Sequence, residues 1–207
     1  MLKSPLLARR AVLAGLVATP FAAAPALAQN SAEAFVSQNI QRGLGLLNNK
    51  ALTPAQKRDQ FEDFLLGLTD LKRIADFTLG QYRRSVSPAD LAAFQGAFQN
   101  YAVAVYQFYF SKYSGQTLKV TGSTPRTPSD NIVATQLIDP GKSGPPLEVS
   151  FRVRTDGPRP VVTDVSVEGV WLSLQQRDQF VSFLGQNNGN VKLLVSHLSE
   201  LAKQFKS

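Results

Sequence analysis

The chain has 207 residues, no cysteine, a single histidine and a formal net charge of +7. Without cysteine there is neither a disulfide framework nor a thiolate site, and one imidazole is too few for a histidine-built metal centre. The basic excess is scattered in pairs such as Lys57-Arg58 and Arg83-Arg84, so the concentrated basic face of a nucleic-acid binder is absent.

Residues 1–28 read as a cleaved export signal. Lys3, Arg9 and Arg10 form a basic start, Ala11 to Ala24 is small and apolar, and Ala26-Leu27-Ala28 matches an Ala-x-Ala cleavage pattern. The apolar run is short for a membrane span, and Pro20 interrupts it. Arg9-Arg10 admits a twin-arginine route as well as the general secretory one. Removing 28 of 207 residues leaves 179, enough for a single domain over 29–207, with 19 basic side chains against 15 acidic.

The first half of that domain is helical in pattern. Ser31 to Asn49 places Ala34, Phe35, Ile40, Leu44 and Leu47 on one side. Thr53-Pro54-Ala55-Gln56 is a capping box with proline at the first helical position, opening a helix with Phe61, Phe64, Leu65 and Leu68 at three-and-four spacing. Asp70 caps a short helix over Leu71 to Leu79 that stops at Gly80. Ser87-Pro88-Ala89-Asp90 then opens a helix to Tyr113, about seven turns long. It carries two apolar stripes: Leu91, Phe94, Phe98, Tyr101 and Val105, then Val103, Tyr106, Phe110 and Tyr113. A helix with two apolar faces is either sandwiched in a core or lines a cavity with one of them.

Gly115 changes the period. Strands are expected over Thr117–Thr124, Ile132–Ile138, Leu147–Arg154 and Val161–Glu168, with a loop from Thr124 to Asp130. Leu147, Val149, Phe151 and Val153 alternate with charged and polar partners, the pattern of a half-buried strand. Short connections imply an antiparallel meander. Ser173-Leu174-Gln175-Gln176 reads as another capping box, and two amphipathic helices close the chain. The fold class is α+β: a helical N-terminal half, a curved antiparallel sheet of about four strands and two C-terminal helices.

Catalytic chemistry is hard to find in these residues. His197 lies on a predicted helix with Glu200 as its nearest carboxylate and reads as a surface or packing residue. There is no G-x-S-x-G, P-loop or dinucleotide fingerprint. Asp164 and Glu168 fall on one strand four apart, which invites a carboxylate pair, but cross-strand pairing with Arg152 or Arg154 is the simpler expectation. No catalytic residue, metal ligand or cofactor is expected, and the chain does not read as an enzyme. All five tyrosines lie between Tyr82 and Tyr113. Tyrosine suits an apolar wall with a polar tip, although an ordinary core accounts for the same composition.

Two stretches carry a family resemblance. Asp70 to Tyr101, with Ile74-Ala75, Phe77, Leu79-Gly80-x-Tyr82, Ser87-Pro88, Phe94, Phe98 and Tyr101, resembles the signature of the MlaC-type toluene-tolerance family. Asp164-Val165-x-Val167-Glu168-Gly169-Val170-x-Leu172, followed by Gln176-Arg177-Asp178-x-Phe180, resembles that family's strand-to-helix motif. The resemblance implies a monomeric periplasmic phospholipid carrier. It would hold acyl chains in a hydrophobic pocket and shuttle lipid between an outer-membrane lipoprotein complex and an inner-membrane ABC transporter, maintaining outer-membrane asymmetry. The expected pocket walls are Phe94, Phe98, Tyr101, Val105 and Tyr106 from the long helix and Val149, Phe151, Val153, Val165 and Val167 from the sheet, with hinges near Gly80, Gly115 or Gly169. The resemblance extends to relatives of hopanoid-producing bacteria, so a hopanoid or other terpenoid is the alternative cargo. Trp171, where a small residue is common, and Arg83, where an aromatic is common, leave the cargo identity open. A non-enzymatic envelope adaptor with a filled core is the remaining alternative. A 16-carbon chain left in water costs on the order of 12 kcal/mol, at about 0.8 kcal/mol per methylene, so a soluble carrier needs an enclosed apolar space and no acid, base or metal.

Overall fold

Side-chain caps fix where the helices begin. The computed structural model describes residues 24–206, with side chains from Ser31 onward. The export signal expected over residues 1–28 lies outside them, but for the helical backbone of its last five residues. Helix α1 runs Ala24–Asn48 and α2 runs Pro54–Leu68. The Thr53 hydroxyl accepts from the Gln56 N–H at 3.2 Å while the Gln56 side chain accepts from the Thr53 N–H at 3.0 Å, the capping box expected from the sequence. Asp70 accepts from the Arg73 N–H at 3.1 Å to start α3, Leu71–Thr78. Ser87 accepts from the Asp90 N–H at 3.1 Å to start α4, Pro88–Ser111. Between α3 and α4 a 3₁₀ turn spans Gly80–Arg84. Gly80 has φ +54°, and a Cβ there would sit 2.8 Å from Val181 Cγ2, so only glycine fits.

The sheet is a five-stranded antiparallel meander in sequence order: β1 Thr117–Thr127, β2 Asp130–Ile138, β3 Leu147–Arg154, β4 Val161–Val167 and β5 Val170–Trp171. Two features differ from expectation. β1 continues through the stretch expected as a loop, with Pro125 paired to Asn131, because an edge strand tolerates a residue without an N–H. A fifth, two-residue strand folds back on β4 through Glu168 and Gly169, both at positive φ (48° and 81°), the backbone of a tight hairpin.

Helix α5, Leu172–Gln186, corrects two further expectations. Its first helical residue is Leu172, so Ser173 is inside the first turn and no side chain of its own cap position bonds it. The cap comes from across the sheet. Buried Asp164 accepts the Ser173 N–H at 3.0 Å and also the Ser173 hydroxyl. Arg152 stands opposite Asp164 in register but turns its guanidinium to Asp130, at 2.6 Å for its shortest contact, and Arg154 pairs with Asp156. Bidentate geometry favours those partners, and Asp164 is left free to hold the positive end of α5. Glu168 is exposed in the turn, so the two carboxylates form no pair. Helix α6, Val191–Lys206, completes the chain, with exposed His197 stacked on Phe183 at 4.9 Å.

The two stripes of α4 meet different neighbours. Phe94, Ala97, Phe98 and Ala102 join Leu79, Phe180, Leu184, Leu194 and Leu198 in an all-helical core. Val103 packs with Phe61 and Leu65 of α2, with Tyr106 and Phe110 alongside. A third cluster lies between α1 and the sheet, built on Ala32, Val36, Val133, Val153 and Val162. Most of α4 is therefore a sandwiched helix.

Candidate functional site

The α1 cluster is incomplete, and the space it leaves is the candidate site. A cavity of about 240 Å³ lies between α1, the sheet, α2 and the C-terminal end of α4. Helix α1 supplies Val36, Asn39, Ile40, Gly43, Leu44 and Leu47, an apolar face at three-and-four spacing. Phe64 and Leu68 come from α2, Phe110 and Tyr113 from the end of α4 and the turn after it, and Gln116 and Thr117 follow. The sheet contributes Leu118, Leu137, Phe151 and Val162. Leu118 and Leu137 are cross-strand partners, so they share a face. Gly43 matters here because it has no side chain: a Cβ would only touch the Phe64 ring, at 3.6 Å, and the volume beyond stays open.

Among the described residues no charged side chain lines this space. Its polar groups are bonded locally. The Asn39 amide donates to the Phe35 carbonyl at 2.8 Å, the Tyr113 hydroxyl accepts from Asn48 at 3.1 Å, and Gln116 donates to Ser114 and to Asp139 at 3.0 and 3.2 Å. Tyr113, Gln116 and Thr117 are neighbours in the chain, which gives the cavity one polar end. An apolar guest loses nothing by entering such a space, whereas a charged one is desolvated without a partner. Asn131 on β2 is fully buried, in register with Val153 and Pro125, and among the described residues neither of its carboxamide atoms has a hydrogen-bond partner, at a cost of about 1–3 kcal/mol per orphaned group.

The ten expected wall residues fall in several places. Phe151 lines the cavity. The sheet residues share the face that α1 covers: Phe151 pairs with Val165, Val149 with Val167, and Val153 with Val162. Of these, Val149 and Val153 are buried in packing beside the cavity rather than at its surface. Phe94 and Phe98 lie in the helical core with their rings edge-on to Phe180, at 6.1 and 6.3 Å. Tyr101 packs against that core, Tyr106 against the α2 cluster, and Val105 is half-buried between. Burial pushes the Tyr106 phenol up to about 12, with the Asp164 charge adding to it, and burial raises Tyr101 as well, so both stay neutral. Trp171 pairs with Ser166 on the opposite face, and Arg83 pairs with Asp76 at 3.0 Å; neither lines the cavity.

The residues that sequence reasoning missed are those of α1 and the start of the sheet. A signal was present: Gly43 and Gly45 sit inside a helix, where each costs about 1 kcal/mol relative to alanine. Of the two, Gly43 lines the cavity, whereas Gly45, like Gly96 in α4, faces open space, so the glycine signal needs the structure to place it.

The family model described as MlaC protein matches residues 37–200. A solved structure of a phospholipid-binding protein from Ralstonia solanacearum, in complex with a phospholipid, shares the fold at a TM-score of 0.68 and 21% identity. The alignment covers 87% of this chain and 99% of that one. Among the described residues no helix is long and apolar enough to cross a membrane, and no group of three or more histidine, cysteine or acidic side chains is placed to hold a metal ion.

Proposed function

The chain belongs to the MlaC family, and on that premise we propose that it is a periplasmic carrier that shelters phospholipid acyl chains in the cavity between α1 and the sheet. The observation that carries this reading is the uncharged, largely aliphatic lining, closed by α1 on one side and by Phe64 and Phe110 at the helical end. The Ralstonia protein of the same fold, described as holding a phospholipid, supports phospholipid as the cargo class. The basic, apolar and Ala-x-Ala pattern of residues 1–28 supports export, and membership of the MlaC family supports delivery between an outer-membrane lipoprotein complex and an inner-membrane ABC transporter as the role of the bound lipid. The work done is binding and release, with no bond made or broken.

The cavity volume sharpens the proposal. About 240 Å³ is below the roughly 300–1,000 Å³ of typical ligand pockets, so the closed form has room for part of one chain. Loading a whole lipid requires α1 to lift from the sheet, or α2 from α4. Native mass spectrometry of protein purified from cells tests the reading: the expected result is a stoichiometric adduct with the mass of a phospholipid. Lipid-free protein that also takes up nothing from liposomes would refute it, and an extracted terpenoid would redirect it to hopanoid cargo.

A further inference from the structure

Helices α4 and α6 lie side by side and run the same way. Lys192 near the start of α6 is 3.9 Å from Asp90 near the start of α4, while Phe205 at the far end of α6 meets Tyr101 and Phe108. Their C-terminal ends therefore come together, and what they present there is aromatic and basic. Tyr109 is 64% exposed, the most exposed large apolar side chain among the described residues. Its ring is edge-on to Phe108 at 5.7 Å, and Phe108 is edge-on to Phe205 at 5.4 Å. The Lys112 ammonium lies 4.6 Å from the Phe108 ring centre, and Lys203 and Lys206 occupy the last turn of α6. Lys203 is neutralised by Glu200 at 2.8 Å; among the described residues Lys112 and Lys206 make no ion pair.

An exposed tyrosine over a phenylalanine platform, edged by unpaired lysines, is poorly suited to water and well suited to a lipid headgroup layer. There the ring sits at the boundary, the hydroxyl stays wet, and the ammonium groups meet phosphate. The position adds to this. Tyr113, one turn further along from Tyr109, lines the cavity at its polar end, and Phe110, next to Tyr109, lines it as well. We propose that the joined ends of α4 and α6 dock on the surface of a bilayer containing anionic phospholipid, setting the polar end of the cavity against the membrane. The purpose of this surface rests on the carrier reading, but its membrane affinity does not depend on a filled cavity.

Flotation of the whole mature protein with vesicles tests it, using phosphatidylcholine alone and phosphatidylcholine mixed with phosphatidylglycerol. The protein should float with the anionic vesicles, weakly with the neutral ones, and less as salt rises. Each basic group near such a surface is worth about fivefold in partition, so Tyr109→Ser with Lys112→Glu should lower binding at least about tenfold. Lys206→Glu, on the other helix, should weaken it independently. Both variants alter exposed side chains and should keep the melting temperature and the co-purified lipid. Equal partition of variant and parent, or equal binding to both vesicle types, would overturn the proposal. So would a concentration-dependent dimer abolished by the same variants without vesicle binding, since the patch would then join two copies. Lipid-loaded protein that does not float refutes docking alone, and protein that floats but is purified lipid-free and takes up nothing from liposomes refutes the carrier reading alone.

Discussion

Replacing Gly43 with leucine separates the cavity from the fold that surrounds it. Gly43 is in the middle of α1, lines the cavity, and has ordinary space around its missing Cβ, whose nearest neighbours are Phe64 ring atoms at 3.6 Å. Leucine is a better helix former than glycine by about 0.8 kcal/mol, so the lipid-free protein should gain up to about that much stability. Its four side-chain carbons would occupy space otherwise available to as many methylenes of the guest. At about 0.8 kcal/mol each, the guest loses roughly 3 kcal/mol, or about 200-fold in affinity. Urea unfolding of delipidated protein and native mass spectrometry of protein from cells give the two readouts. The expected pattern is opposite in sign: stability rises and lipid content falls. Unchanged lipid with raised stability would show that cargo is held elsewhere. A stability loss of about 1–3 kcal/mol would show that the site is already filled by protein atoms and overpacked by the new side chain.

The remaining predictions concern the frame. Gly80→Ala should destabilise by about 1–3 kcal/mol, since it combines a positive φ with the 2.8 Å approach to Val181, whereas Gly96→Ala on open helix surface should gain up to about 1 kcal/mol by the same denaturation assay. Asp164→Ala leaves the Ser173 N–H and hydroxyl without their acceptor and should cost about 2–4 kcal/mol, with α5 losing hydrogen-exchange protection first. The Asp130 carboxyl is held below the usual carboxylate range by its hydrogen bonds from Arg152, aided by the charges of Arg152, Arg126 and Arg154. A depressed folded-state value means that its stabilisation is present above the unfolded value, about pH 3.9, and is lost as pH falls through the folded one. Asp130→Asn should therefore lower stability at neutral pH and flatten its decline below about pH 4; an unchanged acid slope in urea titrations would count against the pair.

What the sequence determined by itself is local. Thr53, Asp70 and Ser87 each have a side-chain oxygen placed to take a nearby N–H, so the starts of α2, α3 and α4 were legible from a few residues. Alternation along Leu147–Arg154 showed a half-buried strand, and with it the face that carries Phe151. The two stripes of α4 showed that both sides would be covered but not by what. Only the tertiary structure decided that Phe94 and Phe98 meet Phe180 and the α6 leucines, that Tyr106 meets α2, and that the open space lies over α1 and Gly43. Likewise Ser173 carried a good local cap signal, and a buried carboxylate from β4 took its place. The physical reason is the same throughout. Periodicity and capping are properties of neighbouring residues and fix which face is apolar; which other apolar face it meets, and where packing stops short and leaves a cavity, depends on how the helices and the sheet fit around one another.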